Sequence, residues 1–164
     1  MSASSLDLGR LALLLLWALW LAVAVGLDTA RRRLPNGWLL AGASLALVWA
    51  LLPQGVGLAA ALRGGLIALL VFLPGYVLHR LGAGDVKLMA VAGLQAGDTA
   101  VWGLCLAVML AGGVQALLWQ GWRSWFAAGR TAVPSPPPAR PLPYAWAVAA
   151  GCGLHLLTGP LSGA

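Results

Sequence analysis

The chain is a succession of apolar runs, and the gaps between them hold most of its charge. The runs cover residues 11–27, 38–52, 58–78, 88–96, 99–119 and 144–158. A helix that crosses a bilayer needs about 20 mainly apolar residues, and most of these runs approach that length. Hydrophobic residues make up 61% of the 164 and charged residues 9%, with a mean hydropathy of +0.89. A soluble domain of this size leaves too much surface in water to accommodate that composition. The expected fold class is therefore an all-α integral membrane protein, a single unit over 1–164, with the lipid bilayer as its first partner.

The net charge of +6 would point to nucleic acid only if the basic residues gathered on a soluble face. They stand instead in short gaps beside apolar runs, where Lys and Arg set topology, so no nucleic-acid partner is expected. The first run has small residues at Ala22, Val23 and Ala24 and could pass for a signal peptide. Its head, however, carries Asp7 against Arg10, and Arg31, Arg32 and Arg33 follow the run. Those arginines hold its far end in the cytoplasm, so the run is expected to be retained as a helix whose N-terminus faces out.

The same rule, applied to every gap, predicts six transmembrane helices with both termini outside. Arg31, Arg32, Arg33, Arg80, Lys87, Arg123, Arg130 and Arg140 then lie inside, and Arg10 and Arg63 outside. The fourth helix is short, because its run ends at Gly97-Asp98, yet without that crossing the later arginines would face outward. Gly93 and Gly97 give it a small-xxx-small face suited to close helix contact. Arg63, near the outer end of the third run, is expected to snorkel. Pro74-Gly75 should kink or shorten that helix. Residues 120–143 form the one sizeable polar segment, with Trp122, Trp125 and Phe126 at the interface and an extended Pro134-Ser135-Pro136-Pro137-Pro138 stretch. The nine tryptophans read mainly as interface anchors.

Four acidic residues remain in the chain, all Asp. On this topology Asp7 and Asp98 lie outside, while Asp28 and Asp85 sit at the inner ends of the first and fourth helices. Asp85 belongs to Gly82-Ala83-Gly84-Asp85-Val86-Lys87-Leu88, where glycines allow close backbone approach just before an apolar run. An ionisable group at the edge of hydrocarbon is costly, and its default reading is functional. Two carboxylates at one depth can share a proton. One can then take a proton from water while the other donates to a carbonyl oxygen, as hydrolysis of a peptide bond requires. The plainer reading makes Asp85 a helix cap paired with Lys87 and gives Asp28 to its neighbouring arginines. A third makes the two aspartates the relay of a small proton-coupled carrier, which would want them near mid-membrane. A purely structural assembly partner is a weaker alternative again.

Other residues offer less. His79 beside the motif reads as an interface residue and His155 as a packed one. Ser124 lacks a placed base for serine chemistry. Cys105 and Cys152, far apart in apolar runs, read as small buried hydrophobes, and no ligand cluster implies a metal or cofactor.

The Gly82 to Leu88 stretch resembles the GxGD signature of the type IV prepilin peptidase family. Asp28 followed by Arg33-Leu34-Pro35-Asn36 is similar to that family's second motif, with Leu34 in place of the usual Ile. Pro143-Tyr144, with Gly151 behind it, resembles a weaker third element. The resemblance implies a membrane aspartyl endopeptidase of the bacterial cytoplasmic membrane, with Asp28 and Asp85 catalytic and Gly82, Gly84, Lys87, Pro35 and Asn36 in support. It implies a prepilin or pseudopilin precursor as substrate, cleaved at the cytoplasmic face, and no cofactor. Larger members carry paired cysteines in a cytosolic region and also methylate the new N-terminus. This chain has no such cysteine pair and no separate methyltransferase domain is expected, so it resembles the short, peptidase-only branch associated with tight-adherence (Flp) pili.

The topology is testable by single cysteines at Ser2, Ser124 and Ser162, with Cys105 and Cys152 removed. In intact cells or spheroplasts an impermeant thiol reagent should label Ser2→Cys and Ser162→Cys but not Ser124→Cys. Labelling of the last from outside would overturn the helix count.

Overall fold

The computed structural model describes residues 3–31, 34–53, 55–128 and 145–158. Ser2, Arg32, Arg33, Arg130, Pro134 to Pro138, Arg140, Pro143, Tyr144 and Ser162 lie outside the described residues, as do the side chains of Asp7, Arg10, Arg31, Arg123, Phe126 and His155. The described secondary structure is helical throughout: α1 (Ala3–Arg31), α2 (Asn36–Leu51), α3 (Leu58–Val77), α4 (Ala83–Ala128) and α5 (Ala145–Thr158). Two stretches, Leu58–Val77 and Ala83–Trp122, are each long and apolar enough to cross a bilayer.

Helix α4 is two arms joined at a break. Gly97 has φ 74° and ψ 178°, a conformation open to glycine and strained for any residue with a Cβ. The contacts on either side show that the chain reverses there. Just past the break, Asp98 Oδ2 is bound by Arg63, from Nη2 at 2.7 Å and Nε at 2.8 Å, near the start of α3. Further on, Met109, Gly112 and Gly113 share a cleft with Val71, Phe72 and Gly75 near the end of α3. The second arm therefore runs alongside α3 in the same direction. The first arm runs the opposite way and reaches Gly64 of α3 with Gly93 and Gly97. The expected stop at Gly97 and the close-packing glycine face are both present.

These glycines allow backbone to touch backbone. A Cβ on Gly64 would collide with the Gly93 carbonyl and the Gly97 backbone, and one on Gly93 with the Gly64 carbonyl and the Ala68 methyl. Helix α5 closes on the second arm in the same manner, its Gly151 against Val108. One end of the bundle thus gathers the end of α1 and the starts of α2, α4 and α5. The Arg63–Asp98 pair and the Gly97 reversal occupy the other.

Several expectations are corrected. Arg63 does not merely snorkel; it pairs with Asp98. Helix α1 begins at Ala3 within the polar head, and α4 runs on into the polar segment as far as Ala128. Trp17 and Trp20 are buried core residues, not interface anchors. Their rings stack at 4.8 Å, Trp20 stacks on Trp38 at 6.2 Å, and its indole N–H donates to the Trp38 carbonyl at 3.1 Å. Gly42 makes room for that indole. Trp102, Trp122, Trp125 and Trp146 remain exposed. Cys105 and Cys152 are buried, as expected.

Pro74 sits inside the last turn of α3, which ends at Val77. The stop is a Schellman arrangement: Arg80 N–H donates to the Gly75 carbonyl and His79 N–H to the Tyr76 carbonyl, each at 2.9 Å. His79 takes the left-handed position at φ 54°, where glycine is the usual occupant. Its role here is that of an exposed turn residue.

Gly93→Ala should lower the unfolding temperature in detergent, because the methyl meets backbone that cannot move aside; overpacking of this kind costs about 1–3 kcal/mol. Gly113→Ala, where a Cβ meets no atom within 4 Å, is the control and should match or exceed the parent protein. Equal effects at both glycines would refute the close-contact account.

Candidate active site

Asp28 lies in the last turns of α1 and is the buried charged residue among those described, with 8% of its surface exposed. Its Oδ2 accepts the Ala145 N–H at 3.1 Å, across 117 positions of sequence. The first N–H groups of a helix have no intrahelical partner, and a carboxylate is well placed at that positive end. Asp28 therefore caps the start of α5.

Asp85 occupies the third position of α4. Gly82 is the cap: its carbonyl accepts the N–H groups of Asp85 and Val86 at 3.1 and 3.3 Å. In return the Gly82 N–H donates to Asp85 Oδ2 at 3.1 Å, which is the reciprocal half of a capping box. A Cβ on Gly82 would stand 3.0 Å from that oxygen, so glycine lets the carboxylate fold back closely. The cap reading of Asp85 is correct as geometry. Asp28, in the last turns of α1, and Asp85, in the first turn of α4, lie at the same end of the bundle.

The other motif residues converge on the same end. Pro35 caps α2 with φ −65° and ψ 138°. Its carbonyl accepts the Trp38 and Leu39 N–H groups at 3.0 and 3.3 Å, so the Leu34-Pro35-Asn36 turn launches the second helix directly. Gly84 faces Leu34, near enough that an added Cβ would lie 3.7 Å from the Leu34 Cβ. Lys87 Nζ donates to Asn36 Oδ1 at 3.0 Å. The two sequence motifs are thus bonded to each other across α2 and α4.

Lys87 consequently serves Asn36, and the Asp85–Lys87 pairing of the plainer reading is not formed. Among the described residues the one salt bridge is Arg63–Asp98, at the opposite end. The described hydrogen bonds to Asp28 and to Asp85 both fall on Oδ2. Ser124 Oγ donates to the Gln120 carbonyl of its own helix at 3.0 Å and joins no base. Among the described residues no three His, Cys, Asp or Glu side chains are grouped as a metal site would need.

Sequence reasoning missed the contribution of the last helix. Ala145 donates through its backbone, and its neighbour Trp146 donates its indole N–H to Thr29 Oγ1 at 3.1 Å. Pro143-Tyr144 hinted at this region, but the donor that matters is not a side chain and leaves no mark of residue type.

The described structure is an all-α bundle with two membrane-capable helices and with Asp28 and Asp85 at one end of it. The family model described as the type IV leader peptidase family matches residues 15–119. The chain belongs to that family, and it is a peptidase by membership. The match contains both aspartates and the Leu34-Pro35-Asn36 turn, and stops short of α5. Searches of curated proteins and of solved structures found no match.

The Lys87–Asn36 bond predicts a coupled pair. Lys87→Met and Asn36→Leu should each lower the unfolding temperature, and the double variant should lose less than the sum. A coupling of about 1 kcal/mol is the scale for one such bond. Strict additivity in a double-mutant cycle would show that the two motifs do not depend on each other.

Proposed function

We propose that the chain is an aspartyl endopeptidase that removes the leader from type IV or Flp-type prepilins or pseudopilins at the cytoplasmic face of the bacterial inner membrane. Asp28 and Asp85 are the catalytic pair. The observation that supports this reading is that the two family motifs are bonded to each other through Lys87 and Asn36, with Asp28 and Asp85 at that same end of the bundle.

The chemistry follows from that pairing. Two carboxyl groups placed close together hold one proton between them, since like charges at short range oppose the ionisation of both. The ionised partner takes a proton from water as it attacks the scissile carbonyl. The protonated partner donates to the carbonyl oxygen as charge develops there. Collapse of the tetrahedral intermediate returns a proton to the leaving amine. Gly82, Gly84, Pro35, Asn36 and Lys87 hold the two helix starts in register.

The topology in this reading is six crossings with both termini outside. The two arms of α4 count as separate spans, because the chain turns back at Gly97. Arg80 and Lys87 then lie on the side of the aspartates, in keeping with a cytoplasmic site. A proton-coupled carrier would want its acidic groups near mid-membrane; here both lie at helix ends and at the same end.

Asp28→Asn and Asp85→Asn should each abolish cleavage of a co-expressed pilin-like precursor, read by gel shift, with membrane levels unchanged by blot. Asn keeps the size and the N–H acceptor but can neither take nor release the proton. Asp7→Asn is the internal control. The double variant should be little worse than either single, as expected of groups that act as one unit. Wild-type cleavage by either single variant would refute the aspartyl mechanism. Loss of both variants from the membrane would favour the cap-only reading.

A further inference from the structure

Two consecutive residues of α5 are bonded to two consecutive residues of α1. Ala145 N–H meets Asp28 Oδ2 at 3.1 Å, and Trp146 Nε1–H meets Thr29 Oγ1 at 3.1 Å. The Thr29 hydroxyl donates its own proton to the Val25 carbonyl, one turn back, at 2.7 Å. A hydroxyl has one proton to give and lone pairs to receive. With that proton committed inside α1, the Thr29 oxygen faces Trp146 as an acceptor, and the chain of donors is polarised in one direction.

The two bonds differ in surroundings. Ala145 is 1% exposed and Asp28 8%, whereas Trp146 is 54% exposed. The inner bond is the one made to the carboxylate. The outer one leaves that carboxylate untouched and fixes the angle at which α5 arrives. A single hydrogen bond sets a distance and leaves rotation free; a second, one residue along on each helix, removes that rotation. Helix α5 packs mainly on the second arm of α4, at Gly151 and Val108, and these two hydrogen bonds tie its first turn to α1.

We propose that Thr29 and Trp146 are positioning residues for Asp28: their hydrogen bond holds the first turn of α5 so that the Ala145 N–H stays on Oδ2 and the plane of the carboxyl group is fixed. This rests on the reading of Asp28 as a catalytic group. The pair touches neither substrate nor reacting atoms. It acts through the orientation of the carboxyl plane, where a displacement of about 1 Å can cost roughly a hundredfold in rate.

The test uses the purified full-length chain in detergent with a synthetic pilin-like precursor. Trp146→Phe keeps an aromatic ring and removes the N–H. Thr29→Val keeps the shape and removes the hydroxyl, while Thr29→Ser restores it. Trp146→Phe and Thr29→Val should each lower kcat roughly ten- to a hundredfold, with KM and unfolding temperature unchanged. Thr29→Ser should recover most of the rate, and the double variant should be no slower than either single. Trp102→Phe, at an exposed tryptophan of α4, should cleave at the parent rate. Parent-level kcat in Trp146→Phe or Thr29→Val overturns the proposal, as do additive losses that track a lowered unfolding temperature. Cleavage that survives Asp28→Asn would instead sink the aspartyl reading itself. Loss of cleavage in Asp28→Asn beside an unaltered Trp146→Phe removes the positioning role alone.

Discussion

Both carboxylates of the site are held by backbone N–H groups at the starts of helices: Asp28 by Ala145 at the head of α5, and Asp85 by Gly82 at the head of α4. In an apolar bundle these are the polar groups that must exist. A helix satisfies its own backbone except at its ends, and a polar group left unpaired away from water costs free energy on the scale of a whole hydrogen bond. A fold of short apolar helices therefore brings unpaired donors to its ends, and an aspartate placed there meets them. The site grows out of the way the fold satisfies its backbone.

The rest of the architecture keeps those helix starts together. The chain has to turn back at Gly97 for the second arm of α4 to return toward the site end, and a glycine at φ 74° makes that reversal compact. Gly64 and Gly93 then let α3 and the first arm approach with backbone in contact, which fixes where Asp85 emerges. The Arg63–Asp98 pair closes the opposite end. Its charges neutralise each other there, away from Asp28 and Asp85. Lys87, the motif's own cation, is held by the Asn36 amide oxygen and forms no ion pair with Asp85. A carboxylate locked to an ammonium is a poorer proton carrier than one held by neutral donors.

How much of this was legible in the sequence depends on which atoms carry each contact. The α3 boundaries, the Gly97 break and the glycine contact face could be read directly, because they turn on residue type: long apolar runs, and glycines where a Cβ cannot fit. The convergence of the two aspartate motifs was legible from their order and depth. The start of α1 at Ala3 was not, since a polar head can continue a helix whenever nothing stops it, and the same holds for α4 beyond Gln120. Trp17 and Trp20 were misread because a tryptophan in an apolar run looks alike at an interface and in a stacked core. What decides between them is Gly42 on the facing helix, a contact that exists only after folding.

The least legible element is the one nearest the chemistry. The bond from α5 to Asp28 is made by a backbone N–H, which every residue but proline supplies, so no pattern of residue types announces it. The family match ends at residue 119, before that helix begins, although the carboxylate it holds lies within the matched stretch. The site is thus assembled from both ends of the chain, and the fourteen residues of α5 can take part in it with little constraint on their identity at position 145. Constraint falls instead on the side chains that aim the backbone, and those are Thr29 and Trp146. In this bundle the close contact of Gly151 with Val108 seats α5 on α4, and the indole N–H on the Thr29 hydroxyl adds a polar tie between its first turn and α1, beside the bond to the carboxylate.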